Sequence, residues 1–537
     1  MGPPAGRAGP HVTIAQVAPL IEPSRRIEST IAHIIGLGLL FVGIGLVPCV
    51  VIEAATGGNG VAALSITAAI FLISGGILRR ATQIGRVRAT TVFSAVALTW
   101  IVVSFLGALP FILAGTMDQP GQAFIVEVSN AVFEAASGFS CTGSTVISDL
   151  PDVGESDPRI GYGILFWRQL TQWYGGMGIV LLVLAVLPVL GVRAVGFMAA
   201  ESPGVSADRL VPRMSETARR LWLVYVGVTA AIAVSFLVTG MTLYDAVSHS
   251  LTTAATGGFS PYNDSVGEFS SIPIEIAAIM GMLVCGANFA LHYRFIAGDR
   301  RVHLRDSEFR WYIAFFGAIS ILVVGALWID TGLSGSSLRA GVFNSTSLVT
   351  STGFGNATGG GSPGDITLWI PAAQIALLVA MVVGACTGST SGGIKIIRFR
   401  VLGSQARLAV KAARHPRAVL PLKMGPNVVP ERTVEHITGF IVVWLVLVGF
   451  GTAFASVSGT DIITAVSGTI SAMGNMGPSL GAAGPTSTFV DGFDTPSRLV
   501  LASLMIVGRL ELFAVLLLFA RPFRQLQGLN PRRPNRH

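Results

Sequence analysis

The sequence predicts an all-α polytopic membrane protein. About ten transmembrane helices are expected: four helix–pore-loop–helix repeats around a pseudo-four-fold axis, plus two extra N-terminal helices. Three observations carry this reading. Of 537 residues, 51% are hydrophobic and 12% are charged, with a mean hydropathy of +0.68, whereas a soluble chain carries about 25% charged residues. Apolar stretches recur at the roughly 20-residue length that crosses a bilayer core of about 30 Å. Small-residue elbows of one pattern recur between those stretches, and internal repeats of this kind define a fold.

Residues 1–28 hold Pro, Gly and the pair Arg25-Arg26, and read as a cytoplasmic N-terminus. The apolar run that follows continues for a full span, so it is a transmembrane helix and not a cleaved signal peptide. Spans 29–53 and 60–78 are the extra helices, within residues 29–90. Spans 91–114 and 162–190 frame repeat 1 (91–192), and spans 219–239 and 272–296 frame repeat 2 (193–299). Spans 311–329 and 367–390 frame repeat 3 (300–400). A basic cytoplasmic loop, 401–432, leads to repeat 4 (433–520) with spans 434–457 and 496–520, and residues 521–537 form a cytoplasmic tail.

Charge orients these spans. Arg79, Arg80, Arg86 and Arg88 follow the second, and Arg193, Arg209, Arg213, Arg219 and Arg220 follow the fourth. Arg300, Arg301, Arg305 and Arg310 follow the sixth, residues 395–432 form a basic connection, and Arg521, Arg524, Arg532, Arg533 and Arg536 close the chain. The opposite loops hold Asp118, Asp149, Asp152, Glu155, Asp157, Asp264, Glu268, Asp365, Asp491 and Asp494, with few basic residues such as Arg159 and Arg498. The positive-inside rule places both termini in the cytoplasm. The net charge of +8 is therefore a topology signal. Nucleic acid is not an expected partner, because the basic residues sit in short loops between apolar spans.

The elbows are "AVFEAASGFSCTGST" (131–145), "AVSHSLTTAATGGFS" (246–260), "GVFNSTSLVTSTGFG" (341–355) and "AVSGTISAMGNMGPS" (465–479). Stacked without gaps, their second position is Val132, Val247, Val342 and Val466. The seventh is Ser137, Thr252, Ser347 and Ser471, and the thirteenth is Gly143, Gly258, Gly353 and Gly477. Two spans separate each elbow from the next, so all four lie on one side of the membrane. This is parallel repetition, unlike the inverted repeats of many secondary transporters.

Nonhelical backbone at membrane depth is tolerated inside protein or beside water. A single elbow is also explained as a re-entrant turn with small residues for close packing. Four in register argue for a ring of carbonyl oxygens that replaces the hydration shell of a cation such as potassium. Glycine suits this ring because the backbone must reach angles that bulky residues avoid. The C-terminal end of each short helix adds partial negative charge. The hydroxyls of Thr142, Thr256, Thr350, Ser351 and Thr352 are possible further ligands.

The motifs "CTGST" (141–145), "TGGF" (256–259), "STGF" (351–354), "NMGP" (475–478) and "GSTSGGIKIIR" (388–398) resemble those of the Trk/Ktr/HKT superfamily of potassium transporters, most closely its Trk branch. The resemblance covers about residues 91–520. It implies a potassium-binding selectivity filter at Cys141, Thr142, Gly143, Thr256, Gly257, Gly258, Ser351, Thr352, Gly353, Asn475, Met476 and Gly477, with the ion at the four glycines. A serine replaces the first filter glycine in some sodium-permeable relatives, so Gly143 favours potassium. Cys141 departs from the Thr of many relatives.

The eighth span is interrupted by "GACTGSTSGGIK" (384–395). Each mid-helix glycine costs roughly 1 kcal/mol against alanine, so Gly384, Gly388, Gly392 and Gly393 should break the helix. Close helix packing through small residues is the plainer alternative. The resemblance implies a gate of Gly384, Gly388, Ser389, Thr390, Ser391, Gly392, Gly393, Lys395 and Arg509. Arg509 lies inside the tenth span beside Glu511, and an ionisable residue there usually faces protein or water. It is expected to contact loop 384–393 and add an electrostatic barrier. Lys395 either works beside it or marks the membrane surface.

His249 reads as a satisfied structural histidine. Asp245 and Asp461 suit the starts of short helices, or attract cations at the outer vestibule. Cys49, Cys141, Cys285 and Cys386 are far apart and read as buried small residues. No nucleophile triad, metal-ligand motif or phosphate-binding loop is visible, so an enzyme is not expected. No covalent cofactor is expected, and potassium is the transported ion. The resemblance further implies a homodimer in the lipid bilayer that binds a cytoplasmic TrkA-like nucleotide-binding regulatory ring, the nucleotide being held by that partner. The alternative function is a sodium- or proton-coupled cation symporter of the same fold.

Overall fold

The computed structural model describes residues 2, 27–83, 89–118, 121–148, 150, 160–189, 214–332, 334–415, 421–424 and 427–510. Expectations placed on residues 3–26, Arg86, Arg88, residues 149 and 151–159, Arg193, Arg209, Arg213 and everything after Leu510, including Glu511 and the basic tail, lie outside these.

The chain begins with α1 (Thr30–Ala55) and α2 (Val61–Ala81), an antiparallel pair joined by a short turn. Glycine brings the two backbones together: a methyl on Gly75 would meet the Gly36 carbonyl oxygen at 2.8 Å. Small residues at such crossings replace the hydrophobic drive that lipid removes. Repeat 1 is α3 (Ala89–Gly107), α4 (Leu109–Leu113), the short helix α5 (Phe124–Phe139) and α6 (Tyr162–Val189). Repeat 2 is α7 (Met214–Val238), the short α8 (Leu243–Ala255), α9 (Ile272–Cys285) and α10 (Phe289–Ile296).

A one-turn helix, α11 (Val302–Arg305), leads into repeat 3. This comprises α12 (Ser307–Thr331), the short α13 (Gly335–Val349) and α14 (Pro371–Val383). After α15 (Ile396–Arg414), repeat 4 is α16 (Glu431–Val457), the short α17 (Ile462–Gly474), α18 (Phe489–Gly492) and α19 (Thr495–Arg509).

Six described helical segments are long and apolar enough to cross a membrane, and a bent pair makes a seventh. Exposed apolar side chains such as Ile44, Ile73, Ile321 and Val446 cover their outer faces. The short helices are different. Their last turns are buried on all sides, so polar residues such as Ser137, Thr252, Ser347 and Ser471 are enclosed by protein. Three start on side-chain caps, with Thr242, Ser334 and Asp461 each accepting a backbone N–H of the first turn.

Two elements differ from the sequence reading, span 272–296 and the segment 401–432, while span 367–390 breaks where the glycines put it. Span 272–296 is not one helix but bends by 97° between α9 and α10. At the bend Asn288 caps α10 by accepting the Ala290 N–H at 2.8 Å. The Phe289 N–H instead donates to the Gly388 carbonyl at 3.0 Å, so the helix yields to a pairing with the glycine loop. Span 367–390 keeps only 13 helical residues, from Pro371 to Val383. It stops at Gly384, whose φ is 69°, as the glycines foretold. Residues 401–432 are not simply a loop. Helix α15 runs to Arg414, and Lys423–Met424 pairs antiparallel with Asn427–Val428. The run "RVLGSQARLAVKAAR" is rich in Ala, Leu, Arg and Lys, all good helix formers.

Candidate functional site

The four elbows share one backbone. In each, the residue two before the glycine is left-handed: Cys141 (φ 57°), Thr256 (52°), Ser351 (56°) and Asn475 (52°). The N–H of the residue after it returns to the carbonyl of the seventh-position residue. These bonds are Thr142 to Ser137 (2.9 Å), Gly257 to Thr252 (2.9 Å), Thr352 to Ser347 (2.8 Å) and Met476 to Ser471 (3.1 Å). The pattern is the Schellman stop of a helix, made four times. The glycine that follows is left-handed again, at φ 87°, 79°, 85° and 94° for Gly143, Gly258, Gly353 and Gly477.

These glycines close a ring. A methyl on Gly143 would meet the Gly257 carbonyl oxygen at 2.0 Å, one on Gly258 the Thr352 oxygen at 2.1 Å, and one on Gly353 the Met476 oxygen at 2.1 Å. One on Gly477 would meet the Thr142 oxygen at 3.1 Å. Each repeat thus sets its glycine against the next repeat's preceding carbonyl, and the fourth returns to the first. On the side of the acidic loops the glycines floor a cavity of about 110 Å³, lined also by Ser144, Phe259, Ser260 and Pro478.

Side chains beside the glycines turn toward protein. The Cys141 thiol donates to the Gln172 carbonyl at 3.1 Å, and Thr142 accepts from the Asn475 amide at 3.0 Å. Asn475 also donates to the Met505 carbonyl at 2.9 Å. Thr352 pairs with the Thr350 hydroxyl at 2.8 Å. Thr256 donates to the Ala255 carbonyl at 2.7 Å, and Ser351 accepts the Gly392 N–H at 2.6 Å. His249 is fully buried, bridging the Asp245 carbonyl and the Ser260 hydroxyl, as expected of a structural histidine. Asp245 does not line the vestibule: it is buried and accepts hydroxyls from Tyr262 at 3.0 Å and Thr242 at 2.6 Å.

Several bracing residues escaped the sequence reading. Gln172 donates to the Gly257 carbonyl at 2.7 Å and accepts the Phe259 N–H at 3.1 Å. Arg168 forms a buried ion pair with Glu134 at 2.5 Å, donates to the Ser260 carbonyl at 2.7 Å, and lies 3.8 Å from the Phe259 ring centre. Glu134 in turn accepts the Val146 N–H at 2.9 Å. The pair therefore joins α5 and α6 to the nonhelical segments leaving two elbows. The signal was the run "RQLTQ" inside an apolar span, since intramembrane polar residues mark function.

Removing one partner of a buried pair costs about 3–5 kcal/mol, whereas removing both spares the orphaned charge. Arg168→Met is accordingly expected to lower the unfolding temperature sharply in detergent. Adding Glu134→Gln should recover part of that loss. Equal temperatures for the single and double variants would contradict the coupling.

The glycine loop lies on the other side of the elbows and touches repeats 2, 3 and 4, while Arg509 links it to repeat 1. Cys386 N–H donates to the Gly286 carbonyl at 3.1 Å. The Thr387 N–H reaches the Glu308 carboxylate at 2.7 Å. The Thr390 hydroxyl donates to the Ala254 carbonyl at 3.0 Å. A methyl on Gly392 would strike the Gly474 carbonyl at 1.9 Å, while Ser389 folds back on Cys386 and Ser391. Gly388 and Gly393 take φ of 74° and 76°. Arg509 donates to Thr390 O at 2.7 Å, and to Gly175 O and Gly176 O at 2.8 and 3.0 Å. The contact expected between Arg509 and the loop is present. Lys395 is buried and turns back to the Ser391 carbonyl, which removes it from the surface.

Comparison with known proteins follows the same lines. The sequence profile described as "TrkH: Cation transport protein" matches residues 62–526. The Trk system potassium uptake protein TrkH of Escherichia coli K12 is 32% identical over 500 residues, covering 92% of this chain and 98% of that protein. The TrkH of Vibrio parahaemolyticus is 35% identical over 438 residues, covering 80% and 85%. The crystal structure of the potassium transporter TrkH from Vibrio parahaemolyticus matches with a TM-score of 0.78 at 30% identity, covering 92% and 98%. The membership is of a transport family and not of an enzyme family: the chain belongs to the TrkH family of cation transport proteins.

Proposed function

We propose that the chain is the membrane subunit of a Trk-type system and carries potassium into the cell across the cytoplasmic (inner) membrane. The observation that carries this reading is the closed ring in which each elbow glycine abuts the next repeat's carbonyl. The oxygens flanking Gly143, Gly258, Gly353 and Gly477 replace the ion's water, so a large monovalent cation loses its shell at little cost. Partial negative charge at the ends of α5, α8, α13 and α17 favours the ion as it arrives. The loop 384–395 obstructs the path beneath the ring, and the Arg509 guanidinium holds it shut through the Thr390 carbonyl while opposing cation passage.

The basic loops on one side support both termini lying in the cytoplasm, with the 110 Å³ cavity as the outer vestibule. A second copy of the chain and a cytoplasmic TrkA-like ring that binds the nucleotide complete the assembly, and that ring opens the gate. The test is rubidium flux into proteoliposomes with and without a membrane potential. Flux that follows the potassium gradient, with little sodium flux, is the expected outcome. A strict requirement for a proton or sodium gradient would replace this reading by a coupled symporter.

A further inference from the structure

The four elbows are alike in backbone but not in what their carbonyls meet. The Gly477 carbonyl oxygen accepts the Ser144 hydroxyl at 2.8 Å and the Ser471 hydroxyl at 2.9 Å. Both serines are buried. A carbonyl oxygen has two lone pairs, so both are taken. Among the described residues, the carbonyls of Gly143, Gly258 and Gly353 accept no hydrogen bond.

Local sequence explains the difference. The residue after the glycine is Ser144 in repeat 1, but Phe259, Phe354 and Pro478 elsewhere. Only repeat 1 therefore offers a hydroxyl there, and it reaches across the seam to repeat 4. The seventh-position hydroxyls diverge too. Ser471 turns to Gly477, Thr252 binds the His249 carbonyl, and Ser137 and Ser347 meet no partner. The same seam leaves the most room at its glycine: a methyl on Gly477 would meet its nearest oxygen at 3.1 Å, against 2.0–2.1 Å at the other three.

We infer that Ser144 and Ser471 set the ion discrimination of this protein by withdrawing the Gly477 carbonyl from the ring. The inference rests on the filter proposed above. Discrimination between potassium and sodium depends on how many carbonyl dipoles surround the ion and how strong their field is. With both lone pairs of Gly477 occupied, the glycine layer offers three oxygens, and the ion keeps water on the fourth side. A site that leaves water on the ion rejects sodium less strictly. Ser144 is thus a specificity-determining residue, acting through a neighbouring carbonyl.

The test measures rubidium and sodium flux in proteoliposomes for the native chain, Ser144→Ala, Ser144→Thr and the double variant Ser144→Ala/Ser471→Ala. A flux ratio does not depend on how much protein folds. Freeing one lone pair should raise the rubidium-to-sodium ratio by about fivefold, the worth of one net hydrogen bond. The double variant should raise it further, and Ser144→Thr, which keeps the hydroxyl, should hold the native ratio. A native ratio in both Ala variants overturns the inference, as does an equal shift in Ser144→Thr. Gly353→Ser in the same assay separates the two readings. If it loses discrimination while the Ala variants do not change, the filter stands and the role of Ser144 falls. If it keeps the native ratio, the filter falls and this inference with it.

Discussion

Gly353→Ser is expected to cut the rubidium-to-sodium flux ratio by about tenfold or more, which corresponds to about 1.4 kcal/mol between the two ions. The first added carbon would lie 2.1 Å from the Met476 carbonyl oxygen and 3.0 Å from the Pro478 ring. Neither neighbour is the free end of a flexible side chain, so the ring itself must move. The backbone there has φ 85°, a conformation that costs an ordinary residue about 1–2 kcal/mol. The substitution therefore displaces an oxygen and strains the segment that carries it. Gly143→Ser and Gly258→Ser should act alike, since their nearest carbonyls lie at 2.0 and 2.1 Å. Gly477→Ser should act more weakly, because its nearest oxygen is 3.1 Å away. Equal effects at all four glycines, or none, would contradict the ring geometry.

Arg509→Ala is expected to raise cation flux measured without any regulatory partner. The guanidinium ties three carbonyls together, one on the glycine loop and two on α6. Hydrogen bonds from a charged donor are worth about 1.5–3 kcal/mol each, so losing the one to Thr390 alone should shift the loop toward release by about tenfold. Arg509→Lys should fall between, since one ammonium lacks the planar fork that spans three acceptors. Deletion of 388–392, which would remove the proposed obstruction, should give the largest flux. Unchanged flux in both Arg509→Ala and the deletion would sink the gate.

What the sequence made legible was whatever the backbone demands. A left-handed turn against a neighbouring carbonyl admits only glycine, so Gly143, Gly258, Gly353 and Gly477 stand in register and reveal the repeat. A helix that must stop mid-membrane shows the same residue, and Gly384 marks the place. The bend of span 272–296 has another cause, long-range pairing. The bend at Gly286–Asn288 exists because Phe289 N–H binds Gly388, about a hundred residues later in the chain. No local signal in "CGANF" announces that partner.

The same limit hid Gln172, Arg168 and Ser144. Their chemistry was visible as polar residues in apolar or elbow segments, but their targets were not. Ser144 and Gly477 are 333 residues apart. The hydroxyls of Thr256 and Ser351, which first suggested ion ligands, instead join the elbows to the loop below. Helix α15 is a simpler case: its basic residues mark a cytoplasmic connection, and its Ala, Leu, Arg and Lys also make it helical.

Because one polypeptide supplies all four walls of the ring, a single codon alters a single wall. A tetramer of identical subunits has no such freedom, since every substitution arrives in four copies and is judged at four-fold dose. Here the wall at the seam between repeats 4 and 1 already differs from the others. With the ring as the proposed filter, a protein so built can shift its ion preference in quarter steps, keeping three walls intact while the fourth drifts.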